Sequence, residues 1–312
     1  MARRKIALVG IGKIARDQHL PAIATSPDWD LAATVSPDGG VDGIDHYTEI
    51  GAMLTARPDI GVVSLCVPPV PRFDVAAASI RAGRHVILEK PPAASVAESE
   101  TRARMAGSAG TTVFASWHSR EAACVAPAKA WLKDRAIRRL VVTWKEDVRR
   151  WHPGQDWIFA RGGLGVFDPG INALSILTEI LPAPLLVRAA RLDVPANREA
   201  PIAASLDFTC TGAEEARAVF DFRQQGPQTW SMEIETDGGL LALHYGGSRM
   251  EIDGQEIERD SGDALATEYP RLYARMAGLL DRGESDMDLR PLVLVADAFL
   301  LGERRIVEAF DW

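Results

Sequence analysis

A lysine at the end of a buried strand is the first residue in this chain whose position suggests chemistry. Lys90 follows the apolar run His85–Leu88 and Glu89, and it precedes Pro91. Pro91 lacks an N–H group and biases the residue before it toward an extended backbone, so the strand should end here with the ammonium group projecting from its tip. Because parallel sheets bind ligands at the carboxyl ends of their strands, we expect Lys90 to face a ligand.

A glycine-rich turn follows the first predicted strand directly. Gly10, Gly12, Lys13, Ile14 and Ala15 belong to a G-x-G-x-x-A version of the dinucleotide-binding pattern. Gly10 permits the tight turn, Gly12 lets the backbone approach a pyrophosphate, and the helix that follows favours an anion at its N-terminus. Similar turns also have purely structural roles. The position of this one between a strand and a helix predicts a bound dinucleotide.

The tip of the second predicted strand, Val35-Ser36-Pro37-Asp38, should meet the adenosine ribose of that dinucleotide. A dedicated NAD site usually has Asp or Glu here to bind the 2′-hydroxyl group. Ser36 could contact a 2′-phosphate instead, although no arginine follows it and a nearby Asp38 would repel that phosphate. The segment is therefore compatible with NADP, with NAD or with both, and also with an ordinary turn.

Three further strand ends should meet at the same edge of the sheet. The segment that begins with Val67 and Pro68 ends the third strand, and it predicts either a wall beside the cofactor or a simple strand terminator. Trp117 and His118 end the fifth strand, where a histidine is as compatible with a structural role as with lining a site. Together with Glu89 and Lys90, which end the fourth strand, these residues are our candidates for contacts with the cofactor.

A loop in the second half of the chain runs into a helix at Gly162–Asn172. Asp168 and Asn172 are four residues apart, so they share one face if the helix includes both. Asp168 also precedes Pro169, and Asp before Pro is a strong signature of a helix N-cap. Taken alone, this segment favours capping over catalysis for Asp168.

Aromatic and charged residues alternate just before that loop. Strand alternation should place Val142, Trp144 and Glu146 on one face. Aromatic rings beside a carboxylate and an imidazole suit a sugar, whose C–H faces stack on rings while its hydroxyl groups form hydrogen bonds. An amphipathic strand with a solvated end is the structural alternative, and a later tryptophan is more often a core residue. The candidate sugar-binding residues are Glu146, Trp151, His152 and Trp230.

Composition limits the classes of function that remain. The 312 residues carry a formal net charge of −8 without a large basic cluster, which argues against a nucleic-acid partner. Cys66, Cys124 and Cys210 are widely spaced and odd in number, as expected for reduced thiols and not for a metal site. The chain shows no signal-like start and no membrane-length apolar run, so we expect a cytoplasmic protein without a metal.

The order of predicted strands and helices changes near residue 122. Residues 1–122 alternate strands with helices, which predicts an α/β domain with a parallel sheet. Residues 123–312 contain successive strand-like runs with hairpin signals at Asp237-Gly238 and Asp253-Gly254, which predict an α+β domain with a large, mostly antiparallel sheet. Two helices are expected at the end, over Glu268–Asp281 and Pro291–Glu308.

The motifs together resemble the glucose–fructose oxidoreductase/inositol dehydrogenase/rhizopine-catabolism (Gfo/Idh/MocA) family. The matching pieces extend over essentially the whole chain: Gly10–Ala15, Val67-Pro68-Pro69, Glu89-Lys90-Pro91, and Gly162-Gly163 followed by Asp168. Within the family, Gly12–Pro21, Trp117–Arg120, Trp144–Gly154 and Gly162–Leu174 are most similar to the bacterial L-arabinose/D-galactose 1-dehydrogenases.

The resemblance implies a doubly wound N-terminal Rossmann domain, a C-terminal open sheet, and oxidation of a pyranose at C1 to a lactone by hydride transfer to NAD(P). It implies that Asp168 is the base, that Lys90 assists it, and that Asn172 stands where the family often has histidine. Because an amide cannot act as a base, proton removal passes to Asp168 or Lys90. The substrate-binding residues would be Lys90, His118, Glu146, Trp151, His152, Asp168, Asn172 and Trp230.

Two other functions remain open at the level of sequence. One is another dehydrogenase of the same family, acting on an inositol or an amino-sugar derivative. The other is a non-catalytic sensor of a sugar or dinucleotide, although the pairing of Lys90 with Asp168 favours catalysis. An open sheet commonly needs covering, so we also expect a homodimer.

Overall fold

The computed structural model describes residues 3–260 and 264–312, which form two compact units. The first unit contains the chain up to His118 together with Leu265–Leu289. The second contains the described residues of Ser119–Ala264 and Arg290–Trp312. A single boundary at residue 122 therefore does not account for Leu265–Leu289, whose apolar side chains Leu272 and Met276 belong to the core of the first unit.

The sheet of the first unit has six parallel strands. They are β1 (Arg4–Val9), β2 (Trp29–Val35), β3 (Asp45–Tyr47), β4 (Val62–Leu65), β5 (His85–Glu89) and β6 (Val113–Ser116). Their order in the sheet is β3-β2-β1-β4-β5-β6, so the direction of winding reverses between β1 and β4. The carboxyl ends of these two strands flank the point where doubly wound sheets bind ligands.

Helices cover both faces of this sheet. A π-helical turn at Ala15–His19 leads into α1 (Leu20–Thr25), and α2 (Ile50–Ala56), α3 (Arg72–Arg81) and α4 (Val96–Ala109) follow. Central strands buried on both faces read as continuous apolar runs, which explains β1 and β5. The predicted capping box is confirmed, because the Ser95 hydroxyl accepts a hydrogen bond from the backbone N–H of Glu98 at 3.2 Å.

The second unit begins with a short 3-10 turn and then builds a larger sheet. Its elements up to the undescribed residues are α5 (Val125–Leu132), β7 (Ile137–Lys145), α6 (Val148–Trp151), α7 (Phe167–Ile180), β8 (Leu185–Pro195), β9 (Ala203–Cys210), β10 (Glu215–Asp221), β11 (Thr229–Thr236), β12 (Gly239–His244), β13 (Arg249–Ile252) and β14 (Gln255–Arg259). Both predicted hairpins are confirmed, with Thr236 pairing Gly239 and Ile252 pairing Gln255.

The last elements are α8 (Ala264–Arg282), α9 (Arg290–Leu301) and β15 (Gly302–Val307). The predicted helix over Pro291–Glu308 is wrong beyond Leu301, because β15 pairs in parallel with β8. The chain changes from helix to strand at Gly302. A side chain would not fit at this position, since a Cβ atom there would lie 2.4 Å from the carbonyl oxygen of Ala298. The nine-stranded order is β14-β13-β12-β11-β7-β10-β9-β8-β15, mixed but mostly antiparallel as expected.

Strand β7 occupies the middle of this sheet and alternates as the sequence predicted. Leu140, Val142 and Trp144 are buried on one face, and Glu146 continues the alternation just beyond the strand. Helix α7 packs against β7, with α5 and α9 on either side of it. None of the helices in the described part of the chain has both the length and the apolar character needed to cross a membrane.

Candidate functional residues of the two units

The turn after β1 has the geometry that dinucleotide binding requires. Gly10 has φ +85°, and a Cβ atom there would lie 2.8 Å from the backbone nitrogen of Val67. At Gly12, by contrast, no heavy atom of the described chain lies within 4 Å of a Cβ position. Gly10 therefore allows close packing of β1 against β4, while Gly12 leaves open backbone where a pyrophosphate could approach. These residues fit the cofactor.

The side chains around this turn have their own partners. The Lys13 ammonium group forms an exposed salt bridge with Asp17 one helical turn later. Ile14 packs against the apolar cluster that includes Trp29. The π-helical turn replaces the regular helix expected directly after the motif, and it places the buried His19 beneath the sheet edge.

The end of β2 is a compact turn. The Ser36 hydroxyl oxygen accepts a hydrogen bond from the backbone N–H of Asp38 at 3.3 Å, and Ser36 itself is buried. The hydroxyl proton of Ser36 stays available for donation to a phosphate or a ribose oxygen. The turn alternative and the cofactor alternative for this segment are therefore compatible.

Arg72 holds the ends of β4 and β5 together. This buried guanidinium group donates hydrogen bonds to the carbonyl oxygens of Val67, Glu89 and Pro91, with 3.0 Å between Arg72 Nε and Val67 O. Pro68 follows Val67 at this edge and is exposed. Sequence reasoning did not find Arg72, because nothing in the local pattern of α3 reveals carbonyl partners on two separate strands.

Glu89 lies at the centre of a buried polar network. Its carboxylate accepts hydrogen bonds from the Tyr269 hydroxyl and from the backbone N–H of Lys90, both at 2.5 Å, and Oε1 lies 3.2 Å from Nε2 of His19. The other ring nitrogen of His19 lies 2.7 Å from the Tyr273 hydroxyl oxygen. The Glu89 side chain thus fixes the backbone that presents Lys90.

The ionisation of this network follows from its contacts. Burial by itself raises the pKa of Glu89, but the hydrogen bond and charge of His19, with His118 and Lys90, lower that pKa to about 2. Burial likewise disfavours the charged form of His19, yet Cys66, Tyr273 and the hydrogen bond to Glu89 raise the pKa of His19 well above its ordinary value. Glu89 and His19 therefore form a buried ion pair.

Trp117 and His118 pack within the first unit. The indole N–H of Trp117 donates to the carbonyl oxygen of Asp288 at 2.8 Å. His118 Nδ1 lies 2.6 Å from Glu268 Oε2, and the His118 ring stacks on Tyr269 with 5.3 Å between ring centroids. Both residues therefore tie β6 to the segment around α8.

Asp168 is not the N-cap that its sequence context suggested. Helix α7 begins at Phe167 after Val166, so Asp168 lies inside the first turn and Pro169 stands at the third helical position. The helix starts early because Gly165, with φ +54°, packs where a Cβ atom would meet the Pro201 carbonyl oxygen at 2.2 Å. Asp168 is 2% exposed. The capping interpretation is wrong, because Val166 occupies the N-cap position of α7.

His152 approaches that carboxylate from the loop before α7. His152 Nε2 lies 3.5 Å from Asp168 Oδ2 and 4.0 Å from Glu146 Oε1. Asn172 is partly buried one helical turn after Asp168 in the same helix. The structure thus brings together Glu146, His152 and Asp168, which are separated in sequence, and places Asn172 on the same helix face.

Tryptophan rings surround Glu146. The indole N–H of Trp230 donates to Glu146 Oε2 at 2.8 Å, and the Trp230 ring stacks on Trp144 with 5.7 Å between centroids. Trp151 lies against Trp230 at 5.3 Å. The Trp151 indole nitrogen is buried without a hydrogen-bond partner in the described chain, as is that of Trp144. An unsatisfied buried donor beside a fixed carboxylate is suited to binding a hydroxyl group.

Several contributors were absent from the sequence analysis. His19, Tyr269 and Tyr273 complete the network around Glu89, and Phe222 packs against the His152 ring at 5.9 Å. Among the described residues no group of three or more His, Cys, Asp or Glu side chains could hold a metal ion. None of the three cysteines forms a disulfide bond in the described part of the chain.

Comparisons with known proteins show what the chain as a whole is similar to. Residues 4–116 match the model of the GFO_IDH_MocA oxidoreductase family, described by its NAD-binding Rossmann fold. The chain is 40% identical to a galactose 1-dehydrogenase from Pseudomonas fluorescens, over 98% of both chains. A crystal structure of a D-galactose-1-dehydrogenase protein from Rhizobium etli is 50% identical, with a TM-score of 0.94 over 100% of this chain and 99% of that one.

A more distant neighbour shares the fold alone. A 3-ketoreductase from Actinomadura kijaniata, solved with NADP and TDP-benzene, has a TM-score of 0.84 at 18% identity and covers 99% of this chain and 100% of its own. The similarity at this level of identity concerns the architecture of the two units and the order of their strands.

Proposed function

We propose that this chain, which belongs to the Gfo/Idh/MocA family of oxidoreductases, oxidises the C1 hydroxyl group of an aldopyranose of the L-arabinose or D-galactose type to the lactone. The observation that carries the proposal is the cluster of Asp168, His152 and Glu146 beside the rings of Trp151 and Trp230. Identities of 40% and 50% to two galactose 1-dehydrogenases support a sugar as the substrate.

The first unit would hold the cofactor. Gly10 and Gly12 would bind the pyrophosphate, Ser36 would face the adenosine ribose, and Val67 with Pro68 would lie beside the nicotinamide. The nicotinamide, when bound, supplies the acceptor for the hydride that leaves C1. Because the end of β2 offers a serine hydroxyl group instead of the carboxylate typical of NAD sites, we propose that NADP is accepted as well as NAD.

Asp168 is assigned the role of base. It would accept the proton of the C1 hydroxyl group as the C1 hydride departs, which leaves the carbonyl group of the lactone. His152, 3.5 Å from the Asp168 carboxylate, can stabilise its charge in the imidazolium form or take the proton onward. Asn172 can hydrogen-bond the sugar but cannot accept a proton.

Lys90 is assigned the role of an assisting cation. Its ammonium group would donate a hydrogen bond to the C1 oxygen and favour the ionised form of Asp168. The buried Glu89 carboxylate supports this role by binding the Lys90 backbone N–H at 2.5 Å. Unchanged turnover in a Lys90→Met enzyme would remove Lys90 from the mechanism.

Glu146 and the tryptophans would select the sugar. Trp230 donates to one oxygen of the Glu146 carboxylate, and we propose that this carboxylate also accepts a hydrogen bond from a sugar hydroxyl group. The rings of Trp151 and Trp230 offer faces on which the C–H side of a pyranose could stack. A site built from such polar groups rejects an epimer because its buried groups would then be left without partners.

Initial rates test the proposal. Reduction of NAD and of NADP should be followed with L-arabinose, D-galactose, D-glucose, D-xylose and myo-inositol, and the product identified by trapping the lactone with hydroxylamine. We expect L-arabinose and D-galactose to give the highest kcat/KM values. Reduction with the inositol but no aldose would indicate another dehydrogenase of the family, and tight cofactor binding without reduction by any of these would indicate a sensor.

The cytoplasmic location and the homodimer expected from the sequence belong to the same proposal. Cell fractionation tests the location, and sedimentation equilibrium of the purified protein tests the dimer. A membrane-bound or strictly monomeric protein would contradict these parts without affecting the proposed reaction.

A further inference from the structure

We propose that the segment Phe310–Trp312 is a positioning element for the sugar-binding loop between β7 and α7. This loop carries Trp151 and His152, and it contains little regular structure apart from the single turn of α6 and a 3-10 turn at Asp156–Ile158. The inference rests on the proposed function and names residues that act through the loop, without contacting the substrate.

Trp312 holds the loop at Asp156. The indole N–H of Trp312 donates to Asp156 Oδ1 at 2.7 Å, and Arg198 Nη1 donates to the same oxygen at 2.7 Å. The hydrogen bonds from Trp312 and Arg198 lower the pKa of Asp156, which favours the charged carboxylate that accepts them.

Arg149 provides a second point of attachment, three residues before His152. Arg149 Nη2 donates to the carbonyl oxygen of Asp311 at 3.1 Å. Its guanidinium group also lies over the Phe310 ring, 4.6 Å from the centroid. These contacts fix α6, whose last turn is closed by the hydrogen bond from His152 N to Val148 O at 2.8 Å.

A row of aromatic rings joins the segment to the imidazole. The Phe310 and Trp312 rings lie 5.7 Å apart, and both contact Phe159 at 5.4 and 6.0 Å. Phe159 contacts Phe222 at 6.0 Å, and Phe222 contacts the His152 ring at 5.9 Å. Because these rings are closely packed, a displacement of the Phe310 ring should shift its neighbours and, through them, the His152 ring.

The segment is itself anchored to the edge of the sheet. Phe310 N donates to Asn197 Oδ1 at 2.9 Å, and Asn197 Nδ2 and Arg198 Nε donate back to the Phe310 carbonyl oxygen at 3.1 and 3.2 Å. Asn197 lies just beyond the end of β8. Phe310–Trp312 therefore connects a rigid strand end to a loop that lacks regular structure.

Other contacts hold the loop independently, so variants of the segment should fold. Glu199 N and Ala200 N donate to the Phe159 carbonyl oxygen, and Gly165 N donates to that of Ile158 at 2.8 Å. Loss of Phe310 or Trp312 contacts should thus loosen the loop without unfolding the unit. Because Trp151 and His152 would contact the sugar, displacement of this loop on the order of 1 Å should weaken sugar binding.

The test compares four variants by steady-state kinetics with D-galactose and NADP. Phe310→Ala should raise KM for the sugar about tenfold, Trp312→Ala about fivefold and Trp312→Phe about twofold, with kcat within about twofold of wild type, because binding shared by ground and transition states is lost. Trp131→Ala, a partly buried tryptophan of α5 distant in sequence from the loop, is the matched control and should leave KM unchanged.

Hydrogen exchange supplies a readout that does not need activity. Amides of residues 148–159 should exchange faster in Phe310→Ala and Trp312→Ala, while those of α7 and the NADP dissociation constant stay as in wild type. Unchanged KM or unchanged exchange in both variants would overturn the proposal, as would lower kcat at constant KM, which indicates general loss of folded enzyme. A wild type that oxidises no aldose would refute the proposed function, whereas the exchange data would still decide whether the segment holds the loop.

Discussion

Each unit contains a cluster of carboxylate, histidine and aromatic side chains, but the two clusters differ in the burial of these side chains and in the lengths of their contacts. In the first unit, Glu89 is 3% exposed, His19 is fully buried, and the contacts of both are short and complete. In the second, the side chain of His152 is 19% exposed and lies 3.5 Å from Asp168 and 4.0 Å from Glu146. We therefore propose that similar residue types serve stability in the first unit and ligand binding in the second.

The difference shows which features separate a structural network from a site. A closed network has its hydrogen bonds supplied by the protein and gains fixed geometry, here for the backbone of Lys90. The second cluster has longer contacts and a buried donor with no partner among the described residues, the indole nitrogen of Trp151, as we expect of a ligand site. We therefore expect changes in the first cluster to alter folding stability and changes in the second to alter turnover.

The largest expected effect is on turnover and comes from Asp168→Asn. This change keeps the shape of the side chain and removes its ability to accept a proton, so kcat with D-galactose should fall roughly 10²- to 10⁴-fold. NADP affinity, measured by fluorescence titration, should stay unchanged. Asp207→Asn, on an exposed position of β9, is the control. An Asp168→Asn enzyme with near-normal kcat would assign the base elsewhere.

In the first cluster, Glu89→Gln should act on stability. The substitution removes one charge of a buried pair and leaves His19 without its counter-charge, which costs about 3 kcal/mol in the free energy of unfolding. Urea denaturation at pH 5.5 measures the effect. Glu100→Gln, on an exposed position of α4, should change the free energy of unfolding by less than about 0.5 kcal/mol. Equal effects of the two substitutions would show that the network contributes little.

The pH dependence of that stability has a definite sign. The pKa of Glu89 falls from its ordinary value of 4.5 to about 2 in the folded state, so its contribution is present above pH 4.5 and lost on acidification toward pH 2. The pKa of His19 rises above 6.5, so its contribution is complete below pH 6.5 and declines as the pH rises. The stability difference between wild type and Glu89→Gln should therefore be largest between about pH 4.5 and 6.5.

Gly12→Ala tests an open surface within the first unit. The added methyl group meets no atom of the described chain within 4 Å, so the protein should keep its stability. It would occupy the space where the pyrophosphate approaches, and we expect the dissociation constant of NADP to rise roughly 30-fold. Gly51→Ala, equally unobstructed and exposed in α2, should not change NADP binding. Unchanged affinity in Gly12→Ala would place the pyrophosphate elsewhere.

Local signals in the sequence predicted much of the fold. Ser95 and Glu98 defined a helix start, and Asp253-Gly254 defined a hairpin, because both depend on contacts within four residues. The prediction of secondary structure failed where the structure of a segment depends on partners that are distant in sequence. The residues after Leu301 form β15 because β8 is available for pairing, and nothing within the helical pattern of that segment reveals β8.

The same distinction between local and long-range contacts applies to the candidate site residues. The sequence placed Glu146 on the face of Trp144, since strand alternation is local. It could not show that Glu89 pairs with His19, seventy positions earlier, or that Asp168 lies within the helix and meets His152. Motifs identify the residue types that carry chemistry, whereas their protonation and partners depend on long-range packing.

The smallest effect should come from Trp230→Phe. Phenylalanine keeps an aromatic face for the sugar but removes the N–H donor that holds Glu146 Oε2 at 2.8 Å. The loss of one hydrogen bond to a charged group should raise KM for D-galactose about fivefold, with kcat within about twofold.

Trp144→Phe is the matched comparison, because it removes an indole nitrogen that has no partner in the described chain while keeping the ring behind Trp230. Its effect on KM should be clearly smaller. Equal effects would mean that Trp230 acts through ring packing alone. The orientation of Glu146 would then not depend on the indole N–H of Trp230. A larger effect for Trp230→Phe would indicate that the hydrogen bond from the Trp230 indole N–H helps to orient the Glu146 carboxylate for its ligand.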